Sequence, residues 1–150
     1  MKLSDQLVAL NDPYVFFFKS PKSRLALRRL VEYMKDQGGV ASKSDISHFA
    51  DNLAKNKILS RQKFYGTVLK TMKETGFIID NVPAYGKAPS SKTAFPYRLA
   101  RFAIPRKVPT ESDGFWRLAW YVCRHWNMEI WGNISFDEDD DISHLLNVTH

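Results

Sequence analysis

Apolar residues recur at helical spacing in three successive stretches of the chain and then change to a shorter, alternating pattern. Ser20-Pro21 opens the first stretch, where Leu25, Leu27, Leu30, Val31 and Met34 supply an apolar face and Gly38-Gly39 ends it. That pattern predicts a helix through about Gln37. In the second stretch, Ile46, Phe49, Ala50 and Leu53 stand at i, i+3, i+4 and i+7, behind a cap supplied by Ser42 or Ser44. A turn over Lys55 to Leu59, with Ile58 and Leu59 turned inward, leads to Ser60 as the cap of a third helix. Phe64, Val68 and Met72 form its stripe, Tyr65 and Leu69 flank it, and Gly76 is a good stop after Thr75. Phe77 to Val82 then reads as a strand and Tyr97 to Ile104 as a returning strand, pairing as a hairpin around a Pro-, Gly-, Ser- and Lys-rich loop, Pro83 to Pro96.

The flanks differ from this middle. Leu3 to Leu10 predicts a short helix capped by Ser4 and broken at Asn11-Asp12-Pro13; Tyr14 to Phe18 is a five-residue apolar run, either a short strand or an arm laid over the core. Pro105 to Asp113 is a linker. Gly114 to Asn127 predicts a helix that is apolar nearly all round, followed by a short apolar stretch to Gly132 and an acidic tail. The chain therefore divides into an arm (1–20), a helix-rich domain with a hairpin (21–104), a linker with an aromatic helix (105–132) and a tail (133–150). The class is mainly α, within α+β, and 150 residues suit one domain with an appended helix.

Charge sharpens the picture. The net charge of +6 conceals an asymmetry, because all five acids after Gly132 lie in Asp137 to Asp141 and no Lys or Arg follows Gly132. Residues 1–132 hold 22 basic and 11 acidic residues, a net +11. A basic body of this size suits a polyanionic partner, nucleic acid before an anionic membrane surface.

The run from Arg24 to Phe102 resembles the winged helix-turn-helix superfamily of DNA-binding domains. The resemblance covers a little over half of the chain. It is carried by the order of elements, the capping serines Ser44 and Ser60, the Ile46/Phe49/Leu53 and Phe64/Val68/Met72 stripes, and the loop around Tyr85-Gly86-Lys87. It implies a two-stranded wing, a third helix that enters a groove of double-stranded DNA, and a wing that reaches the backbone. With the stripe inward, Gln62, Lys63, Gly66, Thr67, Lys70 and Thr71 face out, and Arg61 lies at the edge. Gln suits adenine, Arg or Lys suits guanine, and the Thr67 methyl suits thymine. Arg61, Gln62, Lys63, Thr67 and Lys70, with Lys87 and Lys92 of the wing as phosphate contacts, are the expected DNA-binding residues. Lysines on a solvated helical face and a plain hairpin loop are the simpler alternatives.

The aromatic helix carries Phe115, Trp116, Trp120 and Trp126, more apolar surface than a lone exposed helix bears. It is expected to pack on its own domain or on a second copy, and these four residues are the expected homodimer interface. Cys123 sits in that apolar run and reads as a packed thiol. His48, His125, His144 and His150 lack metal-ligand spacing, the acidic run lacks the pattern of a calcium loop, and no phosphate loop, nucleophile elbow or carboxylate pair stands out. No enzyme, metal or cofactor is therefore expected. With no signal peptide and no spanning segment, the expected location is the cytoplasm (nucleoid) or the nucleus, away from membranes. The expected function is sequence-dependent duplex DNA binding by a transcriptional regulator or chromatin-type factor; the alternative is a winged-helix protein-interaction module in a larger assembly.

Overall fold

Two units organise the chain, one from Phe17 to Ala100 and one from Met1–Phe16 with Arg101–His150. The computed structural model describes residues 14–81, 95–108 and 114–133. The elements in order are α1 (Tyr14–Phe17), α2 (Pro21–Asp36), β1 (Val40–Ala41), α3 (Lys43–Lys55), α4 (Arg61–Lys63), a π-helical segment (Phe64–Leu69), α5 (Lys70–Glu74), β2 (Ile78–Asp80), β3 (Tyr97–Leu99) and α6 (Gly114–Trp131). From α4 to α5 the helix is unbroken and is called helix 61–74 below. The protein is mainly helical with a small antiparallel sheet, an α+β arrangement.

In the first unit the helix starts are written locally. Ser20 Oγ accepts from the Ser23 N–H at 3.4 Å, and Pro21 occupies the first turn, where its missing donor costs nothing. The buried face of α2 is Ser23, Ala26, Leu27, Leu30, Val31 and Met34. Leu25 is 40% exposed, against expectation, because it lies one residue and about 100° off that stripe. Gly38 and Gly39 both hold positive φ, and the Gly39 N–H turns back to donate to the Met34 carbonyl at 2.7 Å. Ser42, not Ser44, caps α3. A capping box needs an acid three residues on, and only Ser42 has one: Asp45 N–H donates to Ser42 Oγ and Ser42 N–H donates to the Asp45 carboxylate, both at 3.0 Å.

Ile46, Phe49, Ala50 and Leu53 of α3 are buried with the α2 face and with Phe64, Val68, Leu69 and Met72 of helix 61–74. The rings of Tyr33, Phe49 and Phe64 form a connected row across the three helices, at 5.4 and 5.5 Å between centroids. The sheet has three strands in the order β1-β3-β2, all antiparallel, so the expected two-stranded hairpin carries an additional strand. Val40 and Ala41 pair with Arg98 and Tyr97, while Ile78, Ile79 and Asp80 pair with Leu99, Arg98 and Tyr97. A two-residue strand is too short to show alternation, and only its pairing reveals it. β2 and β3 are three residues each, shorter than the apolar runs that announce them.

The run Tyr14–Phe17 forms a single helical turn rather than a strand or an extended arm; Tyr14 is buried, and the Phe17 ring meets Phe77 edge-on at 4.7 Å. In the second unit α6 runs on to Trp131, past the expected end near Asn127, because no breaker precedes Gly132, whose φ is +73°. Val122, Trp126, Asn127 and Ile130 are its buried residues. Asn127 accepts from the Phe102 N–H at 3.0 Å and donates to the Phe102 carbonyl at 2.7 Å, standing in for a strand partner. Trp120 Nε1 donates to the Pro105 carbonyl at 2.7 Å, and Arg101 donates to Asn133 at 2.6 Å while lying over the Trp131 ring. The expected helix at Leu3–Leu10 and the acidic run Asp137–Asp141 lie outside the described residues. Among the described residues no helix is long and apolar enough to cross a membrane.

Candidate nucleic-acid interface

Helix 61–74 is built to hold one face down and show another. Ser60 has extended backbone angles, and its Oγ accepts from the Lys63 N–H at 3.1 Å, which starts the helix on schedule. Phe64, Val68, Leu69 and Met72 are buried; Gln62, Lys63, Gly66 and Lys70 are exposed, and Thr67 and Thr71 are half-buried. Leu69 was expected to flank the stripe and is instead part of it. The cause is the π-helical segment Phe64–Leu69: its wider turn sets residue i+5, as well as i+4, beneath residue i. Gly66 lies in this segment, and a Cβ there would meet nothing within 4 Å. The backbone is therefore bare on the exposed side.

The cations of this helix are less available than their number suggests. Arg61 is turned back toward α3: its guanidinium donates to the Ser47 carbonyl and Oγ, each at 3.0 Å, and to Asp51 at 2.6 Å, and it lies 5.1 Å from the Tyr65 ring centroid. Base contact by Arg61 would require these bonds to break. Lys73 pairs with Asp80 of β2 at 3.2 Å, and Lys70 stands 4.0 Å from Glu74. Lys63 forms no ion pair among the described residues. Of the expected DNA-binding set, Gln62, Lys63 and Lys70 are exposed on the outward side of the helix, Thr67 is half-buried beside them, and Arg61 is committed elsewhere. Lys87 and Lys92, expected in a wing, lie in residues 82–94, outside the described residues.

The turn before the helix contributes residues that the sequence did not single out. Lys57 holds φ +57°, a conformation more usual for Gly or Asn. Ile58 is half-buried and Leu59 buried, as expected. At the start of β3, burial raises the pKa of the Tyr97 phenol, with the nearby Asp80 charge and Tyr65 adding to the shift. Ser47 and Asp51 were also unanticipated, because a contact across ten to fourteen residues and a turn leaves no local signal.

The four aromatic residues expected at a dimer interface part company. Phe115 and Trp116 are 61% and 60% exposed and meet edge-on at 5.4 Å. Trp120 is half-buried and bonded to Pro105. Trp126 is 0% exposed within the chain itself, so it has no surface to offer a second copy and leaves the expected set. Its burial follows from its place on the Val122/Trp126/Ile130 stripe. Burial pushes the Cys123 thiol up to about 11, which leaves it protonated near neutral pH. Burial, helped by the Arg124 charge, lowers the pKa of His125. No cluster of three His, Cys, Asp or Glu side chains suited to a metal ion occurs among the described residues. Comparison with protein-family models, with curated proteins and with solved structures finds no match to this chain.

Proposed function

We propose that residues 21–104 are a winged helix-turn-helix module that binds double-stranded DNA, with helix 61–74 in a groove, in a transcriptional regulator or chromatin-type factor acting as a homodimer. The element order α2-β1-α3-helix 61–74-β2-β3, with strand order β1-β3-β2, supports this reading of the fold. The observation that carries the function is the outward face of Gln62, Lys63, Gly66 and Lys70, with the half-buried Thr67 among them, on a helix whose stripe Phe64, Val68, Leu69 and Met72 is buried and whose start is capped. Polar groups that suit base edges stand there beside a bare stretch of backbone, on a body of net +11 over residues 1–132. Phe115, Trp116 and the half-buried Trp120 are the residues left to form the contact between copies.

The test is binding of the full chain to random duplex DNA over a salt series. Six phosphate contacts give a log–log slope of about −5, from roughly −0.9 per contact. Replacing Gln62, Lys63 or Thr67 by Ala changes sequence preference, whereas replacing Lys87 or Lys92 weakens all sequences alike. A flat salt response, or no binding at low salt, overturns the reading.

A second reading has one observation in its favour. Arg61, Lys70 and Lys73 each have an acidic neighbour within the chain, so the helix face is less cationic than its composition suggests. A protein surface would suit such a face, and the module would then act in a larger assembly. Weak, non-saturating association with DNA combined with saturable association with a protein partner would favour it.

A further inference from the structure

The turn between α3 and helix 61–74 borders an open groove of about 480 Å³. Four parts of the chain line it: Lys22 from the start of α2, Ala54 from the end of α3, Lys57 and the next three residues of the turn, and Arg61 and Lys63 from the start of helix 61–74. Four of these eight are cations, and no acidic side chain among the described residues lines the groove. Lys22, Lys57 and Lys63 form no ion pair with any described residue, while Arg61 is held by Asp51. Lys70 and Lys73, further along helix 61–74, have acidic neighbours, whereas three of the four cations of this groove have none among the described residues. Like charges gathered round a concave surface repel one another, and an anion seated among them relieves that repulsion.

We propose that this groove binds phosphate groups, with Lys22 and Lys57 as the contacting residues. The source of the phosphates rests on the DNA reading given above: consecutive phosphates of one strand, passing the start of helix 61–74, fill a groove larger than a single phosphate needs. Ammonium groups suit this task because a phosphate backbone demands charge at several points rather than one planar fork. Two residues outside the outward face of helix 61–74, Lys22 and Lys57, thereby join the interface as contacts blind to base sequence.

The test uses the full chain and the double variant Lys22→Gln/Lys57→Gln, which keeps both stems and removes both charges. Unchanged thermal unfolding shows that the variant is folded, both residues being exposed. In the first arm, the salt slope for random duplex DNA becomes shallower by about 1.8, from roughly 0.9 per lost phosphate contact. In the second arm, inorganic pyrophosphate shifts the backbone amide resonances of residues 54–63 in the wild type and leaves them in place in the variant. DNA binding with an unchanged slope, and no pyrophosphate response, overturns the groove site and leaves the DNA reading intact. Pyrophosphate response without DNA binding overturns the DNA reading, keeps the site and makes its phosphate source a free ligand. Absence of both overturns both.

Discussion

Helix 61–74 and α6 both carry strong apolar content, yet they dispose of it differently. Helix 61–74 keeps a narrow stripe, Phe64, Val68, Leu69 and Met72, wholly buried, and every exposed position on it is polar, charged or glycine. α6 has apolar side chains nearly all round, and its burial is graded along its length: Val122, Trp126 and Ile130 are buried from the middle onward, while Phe115 and Trp116 lie open at its start. In the first helix the period of the sequence selects the buried side. In the second the period selects little, and the polar anchors to residues 101–105 accompany the burial: Asn127 to Phe102, Trp120 to Pro105. An amphipathic pattern carries its own orientation, whereas a helix apolar on all sides must be oriented by specific partners.

The sharpest way to break this contrast is to truncate one tryptophan from each half of α6. Trp126→Ala is expected to cost about 3–5 kcal/mol, as for a large side chain removed from a packed site, and Trp116→Ala to stay within about 0.5 kcal/mol. Urea denaturation of the two variants checks both; equal losses would show that the graded burial is not what stabilises the helix. Next in size is Asn127→Ala. It strands the N–H and carbonyl of Phe102, and the loss should be about 1–3 kcal/mol, the range for an unsatisfied buried polar group. A loss near zero by the same measurement would mean that the segment 101–105 is positioned without this amide.

Smaller effects sharpen the other side of the contrast. Ser42→Ala removes the cap of α3 and should cost about 1 kcal/mol, while Ser44→Ala should cost a few tenths at most, which separates the two serines directly. Gly66→Ala has the opposite sign. The φ of Gly66 is not positive and a Cβ there meets nothing, so the change should stabilise the fold by roughly 0.4–1 kcal/mol. If helix 61–74 approaches a nucleic-acid backbone through Gly66, the same variant binds DNA more weakly despite its greater stability. Gains in both stability and affinity would place the contact elsewhere on the helix.

Much of the first unit was legible because its signals are local. The starts of α2 and helix 61–74 stand beside Ser20-Pro21 and Ser60, and the stop of α2 beside Gly38-Gly39, and each involves bonds within a few residues. The stripes of α3 and helix 61–74 are consequences of spacing alone. The choice of Ser42 over Ser44 was also written in the chain, through Asp45 three residues on. The π-helical turn was not, because a local widening depends on how Phe64, Val68 and Leu69 settle into the core.

The candidate interface divides in the same way. The sequence by itself determined which side of helix 61–74 is apolar and hence which residues remain outside, since burial of Phe64, Val68 and Met72 leaves Gln62, Lys63, Thr67 and Lys70 no other place. It also determined the charge imbalance between residues 1–132 and the tail. Only the tertiary structure decided which of the cations stay free. Arg61 is drawn back to Ser47 and Asp51, Lys73 to Asp80, and Lys22 is brought to the same groove as Lys57 and Lys63. The reason is physical: apolar burial follows a period that one segment carries within itself, whereas the pairing of a charge depends on distance to groups far along the chain, and that distance exists only once the helices have packed.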